Sequence, residues 1–198
     1  MIQKGAIAAV VEPELPKEDL EANDQKLLQA VVHHDWVICE LFRQGPVLPL
    51  RFGTYFPGEA ALHSHLEASE AQYQQRLTAL AEKVEVTLKL TAIPFSPEHR
   101  SPSSQKGKAY LQAKKQQYRE QSNYQHQQKV ALENFQHAIA QTCPQLIHDD
   151  PKDGKERFYV LIDRATLPQF LEQMEQWQQE FLRWTLEVSE PLPPYHFL

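Results

Sequence analysis

Strict alternation between apolar and polar side chains from Val84 to Thr91 constrains the fold more than any other feature of the sequence. In a β-strand, every second side chain lies on the same face. One face would hold Val84, Val86, Leu88 and Leu90. The opposite face would hold Glu85, Thr87, Lys89 and Thr91. The pattern predicts a strand with one face buried and the other face in water.

Two helical patterns precede this strand. The first runs from about Asp24 to Gln44, with Asn23 or Asp24 as a cap and Gly45-Pro46 as a stop signal. Its stripe consists of Leu27, Val31, Asp35, Ile38 and Phe42. The second extends as far as Glu82 and repeats apolar residues at helical spacing, at Leu62, Leu66, Tyr73, Leu77 and Leu80. Both helices are expected to cover one side of a sheet.

Two more strands are expected in this part of the chain. Residues 5–11 are small and β-branched, and Pro13 follows that run. Residues 47–56, VLPLRFGTYF, alternate as a strand does, but Pro49, Arg51 and Gly53 share one face. These three residues predict a strand that either lies at an edge or begins at Pro49, that bends at Gly53, and whose Arg51 is bonded to acceptors of another segment. A solvated guanidinium at Arg51 would instead indicate partner binding.

The order strand, helix, strand, helix, strand predicts an α+β first domain with an antiparallel sheet over residues 1–95. Residues 95–105, FSPEHRSPSSQ, combine prolines and serines and are expected to form a mobile surface loop at a domain boundary. Residues 106–198 would then form a C-terminal domain rich in long helices, with short strands.

A long polar helix dominates the second half of the sequence. Residues 107–142 contain no proline and many glutamines, and a break near Ser122-Asn123 is the alternative to one continuous helix. Its thin seam consists of Tyr110, Lys114, Tyr118, Tyr124, Ala131, Phe135 and Ala138. Such a seam suits an antiparallel, coiled-coil-like helical pair or a partner helix. The basic cluster of residues 106–115 is interpreted as a solvated helix face.

The C-terminal third predicts strand, helix, strand and an extended tail. Residues 157–164, RFYVLIDR, are apolar on both faces and indicate a central strand. Thr166 can cap a helix whose packing seam is Phe170, Met174, Trp177 and Phe181. Residues 184–188 alternate as a short strand. In the tail, Pro193 and Pro194 favour an extended conformation, and Tyr195 and Phe197 could anchor it in an apolar groove of the first domain near Arg51.

Charge and hydropathy exclude several classes of protein. The formal net charge of -6 opposes general binding of nucleic acid, and no aromatic platform is flanked by basic residues. No apolar run approaches the length of about 20 residues that spans a bilayer, so no membrane partner is expected. Cys39 and Cys143 stand far apart, without the spacing of a metal clasp or a disulfide scaffold. A reducing cytoplasm is therefore the expected compartment.

Local motifs for chemistry are lacking in the sequence. The histidines group only as His33-His34, as His63 with His65, and as His148 before two aspartates, and none of these spacings converges on one ion. No phosphate-binding glycine loop and no nucleophile elbow occur. We therefore expect no enzyme activity, no cofactor and no metal. The alternative is a small ferredoxin-like enzyme or metal-dependent protein that uses the scattered histidines.

Three ordered motifs resemble those of the gas vesicle GvpF/GvpL family. VLPLRFGTYF resembles the family signature L-P-x-R-F-G-T-x-F, GKAYLQAKK resembles G-x-A-Y-L-x-x-K, and PPYHF resembles P-P-Y-x-F. The helix HHDWVICELF is similar to the histidine-bearing helix that precedes the family signature, with His34 as the counterpart. The matching residues most characteristic of the family are Pro49, Arg51, Phe52, Gly53, Tyr110, Pro193, Pro194, Tyr195 and Phe197.

The resemblance implies a ferredoxin-like first domain, a second domain of long helices, and a role in forming gas vesicles without a cofactor. It further implies a minor structural or assembly protein, located at the gas vesicle within the cytoplasm. Its partners would be the main shell protein, which is GvpA-like, and other vesicle accessory proteins. The nine matching residues would then have structural or interaction roles.

Two departures from the family pattern lead to further expectations. Glu190-Pro191-Leu192 stands where the family has G-P-W, so the packing of the missing tryptophan must be weaker or replaced. No tyrosine-rich strand precedes residues 5–11, which suggests that the chain starts at the family's second strand. The sheet would then expose an edge with which a partner could pair.

Overall fold

The computed structural model describes residues 1–13, 23–96 and 107–198. Its strands are β1 (Ile2–Lys4), β2 (Ile7–Ala9), β3 (Lys83–Ala92), β4 (Leu146–Lys152), β5 (Lys155–Asp163) and β6 (Trp184–Val188). Its helices are α1 (Asp24–Gln44), α2 (Glu59–Leu80), α3 (Lys108–Thr142) and α4 (Leu167–Glu180). Two compact units result. Unit 1 comprises Met1–Glu85, Leu161–Ala165 and Pro191–Leu198, and unit 2 comprises Val86–Val160 and Thr166–Glu190.

A hairpin packed on α2 opens unit 1. β1 and β2 pair antiparallel, and Gly5 turns between them with a φ of 55°. A Cβ at Gly5 would lie 2.0 Å from Glu70 Oε1, which accepts a hydrogen bond from the amide of Ala6, so a larger residue would displace this carboxylate and strain a left-handed backbone. Ile7, Leu62 and Leu66 form the buried cluster of this region. The single strand expected at residues 5–11 is therefore a hairpin that begins earlier and ends at Ala9.

Helix α1 has the bounds that its sequence signals predict. The side chain of Asn23 accepts hydrogen bonds from the amides of Gln25 and Lys26 at 3.0 and 3.1 Å, which satisfies two unpaired donors of the first turn. The helix ends at Gln44, and Gly45 follows as its C-cap, as expected. Only the C-terminal half of the helix enters the core, through Ile38 and Phe42.

The larger sheet has the strand order β4-β5-β3-β6. β3 pairs antiparallel with β6, with Leu90 opposite Leu186, and β4 pairs antiparallel with β5. The apolar face of β3 is fully buried, as the alternation predicts, at Val84, Val86, Leu88 and Leu90. β5 is a central strand, which confirms the prediction for residues 157–164.

Unit 2 places the C-terminal half of α3 against a cluster of aromatic residues. Phe135 of α3 contacts Phe158 of β5 with 5.5 Å between ring centroids, and its ring meets Trp177 and Phe181 edge-on. Phe170, Met174 and Trp177 of the predicted seam are buried on α4. α3 runs without interruption from Lys108 to Thr142, so the alternative break near residue 122 is wrong.

The mixed helix-and-sheet class is confirmed, whereas a ferredoxin-like first domain and a coiled-coil-like pair are not. Residues 47–56 form no strand, because Pro49 donates no amide hydrogen and Gly53 has a φ of 83°, outside the range of a pleated strand. The two units also do not follow the division at residues 95 and 106, since residues 86–92 belong to unit 2 and residues 191–198 to unit 1. Residues 97–106 of the expected boundary loop lie outside the described residues.

Candidate interaction surface

The signature segment, residues 46–56, is an irregular connection between α1 and α2. Thr54 donates both its amide, at 3.2 Å, and its hydroxyl, at 2.7 Å, to the carbonyl of Arg51. These bonds close a turn over residues 51–54, and its third position needs the positive φ that Gly53 supplies. The order of residues in the motif therefore encodes a turn and not an edge strand.

His34 of α1 holds the signature segment in place. Its Nε2 lies 3.0 Å from the carbonyl oxygen of Leu50, and its ring meets Phe52 edge-on at 5.5 Å between centroids. Pro49 is buried and Phe52 is half-buried. The histidine-bearing helix and the signature of the family resemblance are therefore in direct contact.

Arg51 lies in water, in contrast to Pro49 and Phe52 of the same segment. Its side chain is exposed, and none of the described residues accepts a hydrogen bond or forms an ion pair with its guanidinium. The bonds expected from Arg51 to another segment are therefore not found among the described residues, and its side chain lies in water. The alternative from the sequence, a guanidinium presented to a partner, is the one that the geometry favours.

The tail, residues 191–198, packs within unit 1. Leu192 exchanges both backbone hydrogen bonds with Glu85 of β3, at 2.9 and 2.8 Å. Pro193 and Pro194 are fully buried, and Phe197 is half-buried. Because these prolines carry no amide hydrogen, burying them leaves no backbone donor unsatisfied.

Tyr195 joins the tail to α1. Its hydroxyl donates to Asp35 Oδ1 and lies 3.8 Å from the Sγ of Cys39. Burial, followed by the hydrogen bond to Asp35, raises the pKa of Tyr195 above its ordinary value, so the phenol stays protonated and can donate. The polar residue within the predicted stripe of α1 is thus the acceptor for the tail.

Glu85 is the residue that the sequence pattern assigned wrongly. It is the buried charged side chain among the described residues, with 1% of its surface exposed. His196 donates its amide to Oε2 at 2.8 Å, and its Nδ1 lies 2.7 Å from Oε1. Alternation placed Glu85 on a wet face, but the tail covers this end of β3. No local signal in the sequence indicated this cover, because Glu85 and His196 are 111 positions apart.

An exposed apolar stripe covers the N-terminal half of α1. We call the α1 stripe the set Leu27, Leu28, Val31, Val32 and Trp36, whose exposed fractions range from 36% to 64%. Their spacing of three and four residues places them along one side of the helix. Leu27 and Val31 were expected in the core, but the buried residues of α1 are Ile38 and Phe42, in its C-terminal half.

Tyr110 is separate from the other motif residues in the two-unit division. It lies in the first turn of α3, within unit 2, and its ring is 37% exposed. The Nζ of Lys114 stands 5.9 Å from the ring centroid. The other eight motif residues all lie in unit 1.

Groups suited to chemistry do not converge in the part of the chain that the structure describes. No three histidine, cysteine, aspartate or glutamate side chains there could hold a metal ion together. Both cysteines are free, and burial raises the pKa of Cys143 to about 11, which keeps its thiol protonated. No described helix combines the length and the apolar character needed to cross a bilayer.

Comparisons with known proteins identify the family. The model of the family described as "Gas vesicle synthesis protein GvpL/GvpF" matches residues 1–198. Gas vesicle protein F of Streptomyces sp. (strain CB03234) is 28% identical over 215 residues, which cover 100% of this chain and 87% of that protein.

Solved structures show the same fold. The crystal structure of GvpF from Microcystis aeruginosa is 17% identical with a TM-score of 0.59, over 84% of this chain and 76% of that one. GvpF from Anabaena sp. PCC7120 is 20% identical with a TM-score of 0.61, over 84% and 73%. Because the family model spans the whole sequence, the chain belongs to the GvpL/GvpF family of gas vesicle synthesis proteins.

Proposed function

We propose that this protein is a non-enzymatic assembly factor or minor structural component of gas vesicles. It acts at the vesicle within the cytoplasm and binds the main shell protein and other vesicle accessory proteins. Membership of the family supports the role in gas vesicle formation. The observation that supports binding is the α1 stripe, an apolar surface on a helix that the described residues leave open to water.

The α1 stripe has the geometry of a helix that docks by one face. Amphipathic helices bind apolar surfaces through side chains spaced by three, four and seven residues, and Leu28, Val32 and Trp36 follow this spacing at successive turns. Each such side chain contributes about 1.5–3 kcal/mol when it is fully removed from water. Trp36 supplies the large aromatic anchor that is common at binding hot spots. An apolar shell subunit before assembly is a suitable occupant.

The motif residues have complementary roles in this proposal. Pro49, Phe52 and Gly53 shape the signature segment so that Arg51 stays in water, where it can bind a carboxylate or carbonyls of a partner. Pro193, Pro194, Tyr195 and Phe197 fix the tail on unit 1. Tyr110 lies on a different helix, and we propose an interaction role for it as well.

Co-purification tests this function. The tagged full-length chain is expressed together with the main shell protein, and the retained shell protein is quantified after purification. Val32→Asp should reduce the retained amount at least tenfold, because a charge would be buried in the contact. Leu182→Ser is the matched control, since Leu182 is 70% exposed but lies in unit 2. If the wild-type chain retained neither shell protein nor any vesicle accessory protein, the proposed function would be wrong.

A further inference from the structure

Among the described residues, the buried side chains of helix α3 all lie in its C-terminal half. From Tyr124 onward, α3 is anchored in unit 2. The Tyr124 hydroxyl donates to the carbonyl of Ile93 at 3.0 Å. The side-chain amide of Gln128 donates to the carbonyls of Ile93 and Arg183 at 2.9 and 3.1 Å. Further along the helix, Phe135 is fully buried. Before Tyr124, the described chain buries no residue of the helix.

The unpacked half, residues 108–123, carries a concentrated positive charge, and we call it the basic arm. Its basic residues are Lys108, Lys114, Lys115 and Arg119, and its acidic residue is Glu120. None of the four basic side chains forms an ion pair with a described residue, and Glu120 accepts a hydrogen bond from Gln116. The arm is therefore basic in a chain whose formal net charge is -6.

Apolar side chains lie between these charges. Leu111 and Tyr118 are 66% and 61% exposed and are seven residues apart, so they lie on the same side of the helix. Lys114 and Lys115 lie between them in sequence and flank the line that joins them. An apolar line bordered by charges of one sign is the arrangement by which paired helices choose a partner.

We propose that the basic arm binds an acidic amphipathic α-helix of a partner protein. The partner helix covers Leu111 and Tyr118 with its own apolar residues, and its aspartates or glutamates face Lys114, Lys115 and Arg119. A second copy of the same arm is excluded as the occupant by charge, because two basic surfaces would repel. A nucleic acid fits less well, since the rest of the chain is acidic and repels an extended polyanion.

A helical segment in which no side chain is buried by the described residues also gains from such a partner. The arm spans roughly 24 Å at 1.5 Å per residue, and a segment of this length is only marginally helical by itself in water. Most helical stability in proteins comes from packing of one face. Binding of a complementary helix supplies that packing along the arm.

The test measures binding of a synthetic helical peptide to the full-length chain by fluorescence anisotropy. The probe carries leucines along one seam bordered by glutamates, and a second peptide carries lysines in place of the glutamates. The wild-type chain should bind the acidic peptide at least tenfold more tightly than the basic one. Lys115→Glu should weaken binding of the acidic peptide by about tenfold, whereas Lys129→Glu, an equal charge change on the packed half of α3, should not.

Three outcomes decide the proposal. The proposal is supported if the wild-type chain binds the acidic peptide and both Lys115→Glu and Tyr118→Ser lose this binding. The circular dichroism spectra of the two variants should match that of the wild type. Equal binding of both peptides, or of neither, overturns it. Binding of a single-stranded oligonucleotide with the same affinity and the same dependence on Lys115 also overturns it, in favour of a general polyanion surface. None of these measurements involves the shell protein. Failure of this proposal can therefore be distinguished from failure of the proposed function.

Discussion

The signature segment and the tail carry two of the three family motifs, yet their polar groups lie in opposite environments. In the tail, Tyr195 and His196 donate to acceptors inside unit 1, and Pro193 and Pro194 are buried. In the signature, the buried and half-buried residues hold a turn whose arginine remains in water. The tail is thus organised for stability of this chain, and the signature for presentation of a charge.

This difference separates two roles that motif matching alone combines. A motif residue whose polar atoms are satisfied within the chain should affect the free energy of unfolding when it is changed. A motif residue whose polar atoms meet only water should affect binding and leave unfolding nearly unchanged. Variants in both motifs can therefore test whether the two roles are distinct.

Removing the tail should give the largest effect. Deletion of residues 191–198 takes away the backbone pairing of Leu192, the burial of two prolines and both donors to Glu85. We expect the free energy of unfolding to fall by about 5 kcal/mol, because several buried contacts are lost together with the partners of a buried acid. Denaturant titration followed by circular dichroism measures this change. An unchanged melting temperature would contradict a stabilising tail.

His196→Ala should rank second. Glu85 would lose the nitrogen 2.7 Å from its Oε1 while it remains buried, so we expect a loss of about 3 kcal/mol in denaturant titration. The matched control is His63→Ala, because the side chain of His63 is as exposed as that of His196, while Glu59 opposite it is 71% exposed. The control should change stability by less than about 0.5 kcal/mol. Equal losses of stability in both variants would contradict the claim that the burial of Glu85 makes its contact with His196 important.

Tyr195→Phe should have a smaller effect. The substitution keeps the ring but removes the hydroxyl that donates to Asp35, and one such hydrogen bond is worth about 1 kcal/mol. Thermal unfolding of the variant should show the lowered melting temperature, while Tyr118→Phe, which removes an exposed hydroxyl of α3, should not. A variant as stable as the wild type would show that water replaces this bond at no cost.

Arg51→Ala should barely change the free energy of unfolding, by less than about 0.5 kcal/mol, because its guanidinium contacts no described acceptor. Retention of the main shell protein in co-purification should nevertheless fall. Arg76→Ala, at an exposed arginine of α2, serves as the control for charge alone. A loss of stability comparable to that of His196→Ala would show that Arg51, like the residues of the tail, stabilises the fold of this chain.

Local signals predicted the parts of the fold that depend on neighbouring residues. Asn23 and Gly45 fixed the ends of α1 because capping involves only the adjacent turn of backbone. The alternation from Val84 to Leu90 likewise predicted β3 and its buried face. In both cases the determining contacts lie close in sequence or follow a fixed period.

The errors share a physical cause as well. Glu85 was assigned to water because its cover comes from His196, 111 positions away, and no local pattern reports such a contact. Residues 47–56 alternate in hydropathy, but the backbone limits of Pro49 and Gly53 outweigh that alternation. The exposure of Leu27 and Val31 could not be read from their periodicity, since a stripe looks the same whether its own chain or a partner covers it.

The distance in sequence between Glu85 and His196 has a consequence for synthesis. The ribosome completes β3 long before it makes the residues that supply the donors to Glu85. This end of the strand therefore remains uncovered by the tail during translation. A nascent chain in this state offers an open strand edge and an acid without the donors of His196. Chaperones that act on the emerging polypeptide would therefore encounter unit 1 in a form that the released protein no longer shows.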